Sequence, residues 1–297
     1  MYDVIIIGAG PAGLTAAIYV ARAGKSVAIV AEIIGGAAST AHRIDNYPGM
    51  PQINGFQLTQ NMYEHALSFG IDFISEKVVH LELIKPIKEV VLSKSTITAK
   101  KIIIATGSKF RKLGLPNENS LLGRGISYCA TCDGNFFRNK DVVVVGGGDT
   151  AICDALFLSS IAKHTTLIHR RDEFRAAKSI VNAFKKAQIT FISDSVVSKL
   201  VGDDFLTSIE ITNVKTGLKS QVTTNGVFVA IGSLPNSELV KDYVNLDNNG
   251  YIITDAHMRT NVEGVFAVGD VRNTLFRQII TACADGAISA ESAVNFN

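Results

Sequence analysis

Two glycine-rich turns, each between a predicted strand and a predicted helix, constrain this chain of 297 residues more than any other feature. The first is Gly8-Ala9-Gly10-Pro11-Ala12-Gly13, and the second is Gly146-Gly147-Gly148-Asp149-Thr150-Ala151. The apolar runs before them, Val4–Ile7 and Asp141–Val145, are typical of strands buried on both faces of a parallel sheet. Two such units predict an α/β fold with two nucleotide-binding halves.

The glycines of the first turn have separate mechanical roles. Gly8 permits the tight turn, Gly10 lets the backbone approach a pyrophosphate, and Gly13 allows the helix to pack closely on the strand. The helix N-terminus offers free N–H groups and a partial positive charge to phosphates. Glu32 lies just beyond the next strand, Val27–Val30, and 24 residues after Gly8, where a carboxylate binds ribose hydroxyls. This half is predicted to bind a dinucleotide.

The second half carries basic residues where the first carries an acid. Its second predicted strand, Leu167–His169, ends at Arg170 and Arg171, and Arg175 follows shortly after. A carboxylate here would repel a 2′-phosphate, whereas guanidinium groups bind one bidentately. The pattern predicts a preference for NADPH over NADH, and the alternative is a solvated basic turn on the surface.

Cys129 and Cys132 form the only closely spaced cysteine pair in the chain. A CxxC spacing fits either half of a zinc site or a redox-active dithiol. No second CxxC or paired-histidine motif completes four zinc ligands, so the pattern predicts a dithiol and no metal. Asp133 follows directly and either protonates a leaving thiolate or merely caps a turn. Cys153 and Cys283 are expected to be buried in helices with no catalytic role.

The composition excludes some kinds of partner and location. The chain is 47% hydrophobic and 19% charged, with a net charge of +2, which argues against nucleic acid or a membrane surface as partner. Four cysteines in so long a chain do not make a disulfide framework, which favours a reducing compartment. Met1–Asp3 has no basic segment of the kind that begins a secretory signal, so we expect a cytoplasmic protein.

Turn signals also mark where the chain passes between the two predicted domains. One follows the predicted strand Ile102–Ala105, and another follows Val227–Ile231. A late strand, Val265–Val268, leads into Gly269-Asp270 and a final helix from about Gln278. Asp270 either accepts a hydrogen bond from a cofactor hydroxyl or caps a turn, and its spacing leaves both open. The predicted domains are a discontinuous first one, 1–111 with 236–297, and an inserted second one, 112–235.

Taken in order, these motifs resemble those of the low-molecular-weight thioredoxin reductases of bacteria and archaea, which are class II pyridine nucleotide-disulfide oxidoreductases. The resemblance covers nearly the whole chain, and Cys129–Gly134 together with His169–Arg175 is its most specific part. It implies two Rossmann-like, three-layer domains, with an NADP domain inserted into an FAD domain, and a homodimer. It also implies a rotation of one domain against the other that brings either the nicotinamide or the dithiol to the flavin.

The resemblance further assigns roles to individual residues. It implies that Cys132 faces the flavin, that Asp133 is the acid, and that a thioredoxin-like protein disulfide is the substrate. The FAD-binding residues would be Gly8, Gly10, Pro11, Ala12, Gly13, Glu32, Gly36, Asn46, Ala105, Thr106, Gly107, Gly269, Asp270, Arg277, Gln278 and Ile279. The NADPH-binding residues would be Gly146, Gly148, Asp149, Thr150, His169, Arg170, Arg171, Arg175, Ile231 and Gly232.

The chain departs from the family pattern at two places. The family usually has Gly-Gly-Gln after the ribose acid, where this chain has Gly35-Gly36-Ala37 in a shortened loop. Ala37 lacks the side-chain donors and acceptor of a glutamine, so contacts to FAD are expected to differ there. The helix after the second turn carries Cys153 and Asp154 where the family commonly has paired glutamates.

Two other functions fit parts of the pattern. A related flavin-dependent dithiol oxidase would pass electrons from small dithiols to oxygen, but it would not need the cluster of Arg170, Arg171 and Arg175. A non-catalytic NADPH/FAD redox sensor would be reduced once by NADPH and stop. We therefore expect an NADPH-dependent disulfide reductase, with electrons passing from NADPH through FAD and Cys129/Cys132 to a protein disulfide.

Overall fold

The chain passes twice between two parts of the structure, at Lys109/Phe110 and at Ser233/Leu234. The structure is a computed structural model and describes residues 1–41 and 44–295. The first unit comprises Met1–Lys109 and Leu234–Asn297, and the second unit is Phe110–Ser233. The second unit is therefore inserted into the first along the chain.

The described residues contain seventeen strands and six α-helices. The strands are β1 (Tyr2–Ala9), β2 (Val27–Ile34), β3 (Asp72–Ile74), β4 (Val78–Glu82), β5 (Lys88–Leu92), β6 (Thr96–Ile104), β7 (Ser108–Phe110), β8 (Ile126–Ser127), β9 (Asp141–Val145), β10 (His164–Ile168), β11 (Thr190–Ile192), β12 (Ser195–Val201), β13 (Ser208–Asn213), β14 (Lys219–Thr223), β15 (Gly226–Val229), β16 (Ser233–Pro235) and β17 (Val265–Ala267). The helices are α1 (Pro11–Arg22), α2 (Gly55–Leu67), α3 (Ala130–Asp133), α4 (Asp149–Ser159), α5 (Lys178–Lys186) and α6 (Ile279–Asn295). None of these helices is long and apolar enough to cross a membrane.

The first unit is built on a seven-stranded sheet in the order β3-β2-β1-β6-β5-β4, with β17 also beside β6. The long strand β6 has room for both neighbours because β5 pairs with its start, antiparallel, and β17 with its end, parallel. Strand β1 lies between β2 and β6 and runs parallel to both. Its carboxyl end is therefore a switch point, where open α/β sheets bind ligands.

The continuous apolar run of β1 is buried on both faces, as its composition predicts. Val4 and Ile6 belong to one core cluster with residues of α1 and α6, whereas Ile5 and Ile7 belong to another on the opposite face. Burying side chains of this size stabilises the fold by about 1.5–3 kcal/mol each. This double burial fixes the position of the glycine turn that follows β1.

The second unit repeats this plan with a five-stranded sheet in the order β11-β10-β9-β15-β8, in which every neighbouring pair is parallel. Val142 and Val144 face one core cluster, and Val143 and Val145 face the other. Strands β12, β13 and β14 form a separate antiparallel sheet. Strands β7 and β16, which contain the two chain crossings, pair with each other.

Several strand ends differ from the sequence prediction. Strand β2 continues to Ile34 because its pairing with β1 resumes, after a register shift, between Ala9 and Ile34. Glu32 therefore lies within β2 rather than just beyond it. Strand β15 ends at Val229 and not at Ile231, although the next amide still donates to the carbonyl of Val145. Periodicity does not locate these ends because hydrogen bonding to a neighbouring strand decides them.

The packing of α6 on α1 depends on the missing side chain of Gly286. A Cβ at Gly286 would lie 2.3 Å from the carbonyl oxygen of Ala12. We expect Gly286→Ala to lower the free energy of unfolding by about 1–3 kcal/mol, as overpacked cores do. Urea unfolding of the nucleotide-free chain measures this. If the Cβ did not clash with Ala12, the helix propensity of alanine would instead raise the free energy of unfolding by up to about 1 kcal/mol. The sign of the measured change therefore shows whether the close contact exists.

Candidate active site

The turn between β1 and α1 uses its glycines in two different ways. A Cβ at Gly8, whose φ is +113°, would lie 2.3 Å from the carbonyl oxygen of Ala105. A Cβ at Gly13 would lie 2.0 Å from the carbonyl oxygen of Gly8, so both glycines are required by packing. A Cβ at Gly10 would meet nothing within 4 Å. Gly10 therefore borders an open cradle at the start of α1, where no side chain caps the helix and Pro11 is its first residue.

A second loop lies against this cradle. A Cβ at Gly36 would lie 3.4 Å from the Cα atom of Gly10, whereas a Cβ at Gly35 would lie 2.4 Å from Oγ1 of Thr59. Ala37 is exposed in the short 3-10 helix Gly36–Thr40 that continues the loop. The departure from the family pattern thus lies next to the first turn, where a longer side chain would have room.

Residues far apart in sequence meet in the first unit. The amide nitrogen Nδ2 of Asn46 donates to Oε1 of Gln278 at 2.8 Å, across 232 positions of sequence. Oγ1 of Thr106 donates to the carbonyl oxygen of Asn236 at 2.7 Å, and Nδ2 of Asn236 donates to the carbonyl oxygen of Thr106 at 2.8 Å. Sequence reasoning missed Asn236, although an asparagine just after a predicted crossing offers the donors and acceptor that such a turn needs.

A buried ion pair holds the turn after β17. Oδ2 of Asp285 accepts from the backbone N–H of Gly269 at 3.1 Å and pairs with Nη1 of Arg272 at 3.1 Å. The side chains of Asp285 and Arg272 are only 12% and 13% exposed. Sequence reasoning missed both residues, because an acid within a helix looks like any surface acid until its neighbours are known.

Asp270 and Arg277 lie close to each other near the start of α6, the helix that Ile279 begins. Burial raises the pKa of Asp270, and the positive charge of Arg277 partly opposes this shift. The guanidinium of Arg277 stacks over the ring of Tyr251 at 4.1 Å, and its Nε is buried with no hydrogen-bond partner among the described residues. Tyr251 and Arg277 also line a cavity of about 470 Å³. The open cradle at Gly10 and this unpaired donor fit an anionic dinucleotide, as FAD would be.

The turn of the second unit repeats the pattern with one change. A Cβ at Gly146 would lie 2.3 Å from the carbonyl oxygen of Ala230, and one at Gly147 would lie 2.2 Å from the ring of His169. The nearest atom to a Cβ at Gly148 is 3.9 Å away. The ring of His169 therefore covers Gly147, while Gly148 borders open space at the start of α4.

The basic residues of the second unit surround this turn. The backbone N–H of Arg175 donates to the carbonyl oxygen of Gly147 at 2.8 Å. The side chains of Arg170, Arg171 and Arg175 are exposed, and none forms an ion pair with a described residue. Burial lowers the pKa of His169, and the three arginine charges add to this. The cluster is thus free to bind a phosphate.

The remaining residues predicted to bind NADPH take different positions in this unit. Oδ1 of Asp149 accepts from the backbone N–H of Ala177 at 2.8 Å, so its side chain joins α4 to the start of α5. Thr150 is an exposed residue of the first turn of α4. Ile231 and Gly232 are exposed beyond the carboxyl end of β15.

Cys129 and Cys132 form a disulfide in the second unit, with their Cα atoms 5.3 Å apart. Both residues are partly exposed at the short helix α3, of which Cys129 is the N-cap. Sγ of Cys129 accepts from the backbone N–H of Cys132 at 3.2 Å. A hydrogen bond of this kind stabilises a thiolate relative to a thiol, which favours the reactive form of the reduced cysteine.

The acid beside the dithiol is bound by a buried hydroxyl. Oγ of Ser127, which is only 2% exposed, donates to Oδ2 of Asp133 at 2.6 Å. Oγ of Ser127 also accepts from the backbone N–H of Cys129 at 3.0 Å. Sequence reasoning missed Ser127, for which the only signal is its position two residues before the first cysteine.

The two other cysteines differ from each other. Cys283 is buried in α6, as expected, but Cys153 is exposed, so its predicted burial is wrong. The buried positions of α4 are Ala151, Ile152, Ala155 and Leu158, and Cys153 falls on the other face of the helix. Within residues 1–41 and 44–295, no three His, Cys, Asp or Glu side chains are placed together to hold a metal ion.

Comparisons with known proteins agree with this geometry. The family model for pyridine nucleotide-disulphide oxidoreductases matches residues 2–286. The chain is 45% identical to the thioredoxin reductase of Peptoclostridium acidaminophilum, over 100% of this chain and 97% of that protein. It is 46% identical to that of Streptomyces coelicolor, over 99% and 93%.

A solved structure is similar over almost the same length. The crystal structure of thioredoxin reductase from Streptococcus pyogenes superposes with a TM-score of 0.92 at 45% identity, covering 99% of this chain and 97% of that one. These matches confirm the resemblance drawn from the motifs and the α/β fold class with two Rossmann-type domains. The chain belongs to the pyridine nucleotide-disulphide oxidoreductase family.

Proposed function

We propose that this chain is an NADPH-dependent thioredoxin reductase that carries FAD. The observation that carries the proposal is the Cys129–Cys132 disulfide, with Asp133 beside it, in a unit whose glycine turn lies near three exposed arginines. A separate open turn of the same kind lies in the other unit. Relatives at 45% and 46% identity over nearly their full length are thioredoxin reductases, which supports the same activity.

We assign FAD to the first unit and NADPH to the second. The turn at Gly10, the pair Asn46–Gln278 and the partly buried Asp270 and Arg277 would hold FAD. When bound, FAD supplies the two-electron carrier between a reduced nicotinamide and a disulfide. The start of α4 would hold the pyrophosphate of NADPH, and the arginine cluster would hold its 2′-phosphate.

The dithiol then reduces the substrate by exchange. The Cys129 thiolate attacks one sulfur of the protein disulfide, forms a mixed disulfide and releases the other substrate sulfur as a thiolate. The Cys132 thiolate attacks the Cys129 side of the mixed disulfide, which re-forms Cys129–Cys132 and releases the second thiolate. We give the first attack to Cys129 because the family resemblance places Cys132 towards the flavin. The two electrons of the dithiol are thereby transferred to the substrate, which is reduced to two thiolates.

Asp133 donates protons during this exchange. Each substrate thiolate takes up one proton to become a thiol, and the Asp133 carboxyl group is the nearest acid along the chain to Cys132. The bond from Ser127 holds one carboxyl oxygen of Asp133 beside the dithiol. Ser127 thus orients the acid.

We also propose that the protein is a cytoplasmic homodimer, as the family resemblance implies. Light scattering on an eluting size-exclusion peak would give twice the chain mass of 31.8 kDa for a dimer. A peak at the monomer mass would contradict this part of the proposal.

The first prediction about the site concerns the dithiol. Cys129→Ser and Cys132→Ser should each abolish NADPH-dependent reduction of thioredoxin, because exchange needs both sulfurs. NADPH should still bleach the flavin absorbance, since hydride transfer does not use the thiols. Cys153→Ser, which changes an exposed free cysteine of the same unit, is the matched control and should keep full turnover. Full turnover in Cys132→Ser would disprove the relay.

The second prediction concerns the nucleotide. Replacing Arg170 and Arg171 together by alanine removes two charge-assisted contacts of about 1.5 kcal/mol or more each, so the KM for NADPH should rise about 100-fold. The KM for NADH should hardly change because NADH has no 2′-phosphate. The control is Lys185→Ala with Lys186→Ala, which removes two adjacent exposed charges at the end of α5. Equal changes for both nucleotides would show that the cluster is only surface charge.

The third prediction separates the two open turns. A methyl group at Gly10 fits the nucleotide-free chain but occupies the space of the pyrophosphate, so Gly10→Ala should weaken FAD binding by about tenfold or more. Gly148→Ala should do the same for NADPH and leave FAD in place. Flavin content after dialysis and calorimetric titration with NADP⁺ measure the two effects. Loss of both nucleotides in either variant would mean that the fold, rather than one site, was damaged.

A further inference from the structure

A buried carboxylate in the second unit has no role in the chemistry described so far. Glu118 is 3% exposed. Its Oε1 accepts from the backbone N–H of Leu113 at 2.8 Å and from the hydroxyl of Tyr128 at 2.6 Å. Its Oε2 accepts from the backbone N–H of Gly114 at 2.9 Å. Three donors satisfy both oxygens, which is the condition for burying a carboxylate without a cation.

These bonds join two segments of different function. Leu113 and Gly114 follow closely on Phe110, the residue at which the chain enters the second unit. Tyr128 directly precedes Cys129 of the dithiol. The rings of Phe110 and Tyr128 also stack, with centroids 5.3 Å apart and planes 9° apart. Glu118 and the stacked rings therefore tie the entering segment to the dithiol through two contacts, both of which are made by Tyr128.

The hydroxyl of Tyr128 is a dependable donor for this bond. Burial, together with the hydrogen bond to Glu118 and its negative charge, raises the pKa of Tyr128. The phenol therefore keeps its proton throughout the physiological pH range. A phenylalanine would fill the same space and stack on Phe110 equally well, so packing alone does not explain the hydroxyl.

We propose that Glu118 and Tyr128 are positioning residues for the dithiol, which hold Cys129 in a fixed relation to the segment where the chain enters the second unit. The proposal rests on the proposed function and adds to it. Ser127 fixes the backbone of Cys129 from one side through its bond to the N–H group, and Tyr128 fixes the preceding residue through its ring and hydroxyl. The pair acts on Cys129 through the backbone.

The test compares three variants with a matched control. Tyr128→Phe removes the hydroxyl and keeps the stacked ring, Glu118→Gln leaves one backbone N–H without its carboxylate oxygen, and the third variant combines both. The control, Tyr2→Phe, removes a tyrosine–carboxylate bond of similar length, 2.7 Å to Oδ2 of Asp72, in the other unit. Stopped-flow bleaching of the flavin by NADPH, steady-state reduction of thioredoxin and thermal unfolding are measured for all four proteins.

We expect Tyr128→Phe and Glu118→Gln each to lower kcat for thioredoxin reduction about tenfold, the effect of a slightly displaced reacting group. Flavin bleaching by NADPH should proceed at the wild-type rate, because that step does not use the dithiol. The double variant should be no slower than Glu118→Gln, since both changes break one network. The control should match wild type in both steps.

The proposal is overturned if Tyr128→Phe and Glu118→Gln reduce thioredoxin at the wild-type rate. It is also overturned if flavin bleaching in these variants slows as much as thioredoxin reduction, or if Tyr2→Phe lowers kcat as much as they do.

Failure of the proposed function has a different signature, in which the wild-type protein itself passes no electrons from NADPH to thioredoxin. The reaction of the chemically reduced dithiol with an aromatic disulfide reagent then tests the positioning, after subtraction of the signal from a Cys129→Ser/Cys132→Ser variant. The variants should again react about tenfold more slowly, and equal rates would contradict the proposal.

Discussion

The close approach of backbone to backbone at the end of a buried strand governs both units of this structure. At Gly8, Gly13 and Gly146 a Cβ atom would lie within 2.0–2.3 Å of a carbonyl oxygen, so the helix can sit over the strand end only if no side chain intervenes. That approach places the free N–H groups of a helix N-terminus at the edge of the sheet. Two other glycines of these turns, Gly10 and Gly148, border the open space in front of those groups. In each turn, packing thus requires at least one glycine, and another borders open space.

Distant parts of the chain complete the first unit around its turn. The Asn46–Gln278 bond joins a loop near the start of the chain to the beginning of the last helix. The buried pair of Asp285 and Arg272 holds the turn that contains Asp270. Removing one partner of such a pair leaves the other charge buried and unpaired, which costs about 3–5 kcal/mol. The unit needs both segments of the chain, because neither forms the site by itself.

The dithiol depends on polar groups that do not react. Ser127 binds the backbone of Cys129 and the carboxylate of Asp133 with one buried oxygen, which fixes the acid and the cysteine relative to each other. In thiol–disulfide exchange the sulfurs must be placed accurately and the protons must have a defined route. Hydrogen bonds of this kind fix the positions of such groups before a substrate arrives.

The sequence by itself determined the two strand–turn–helix units, the dithiol and the α/β fold class, because each depends on residue types at fixed local spacing. The comparisons confirm the fold and the family. Local patterns did not place the end of β2 beyond Glu32 or the exposure of Cys153, which depend on strand pairing and on the face that a helix buries. They also left Asn236 and Glu118 without a role, because the partners of these residues lie on other segments. Such residues acquire a role only when the folded chain brings a donor to an acceptor, and only the tertiary structure decides which groups meet.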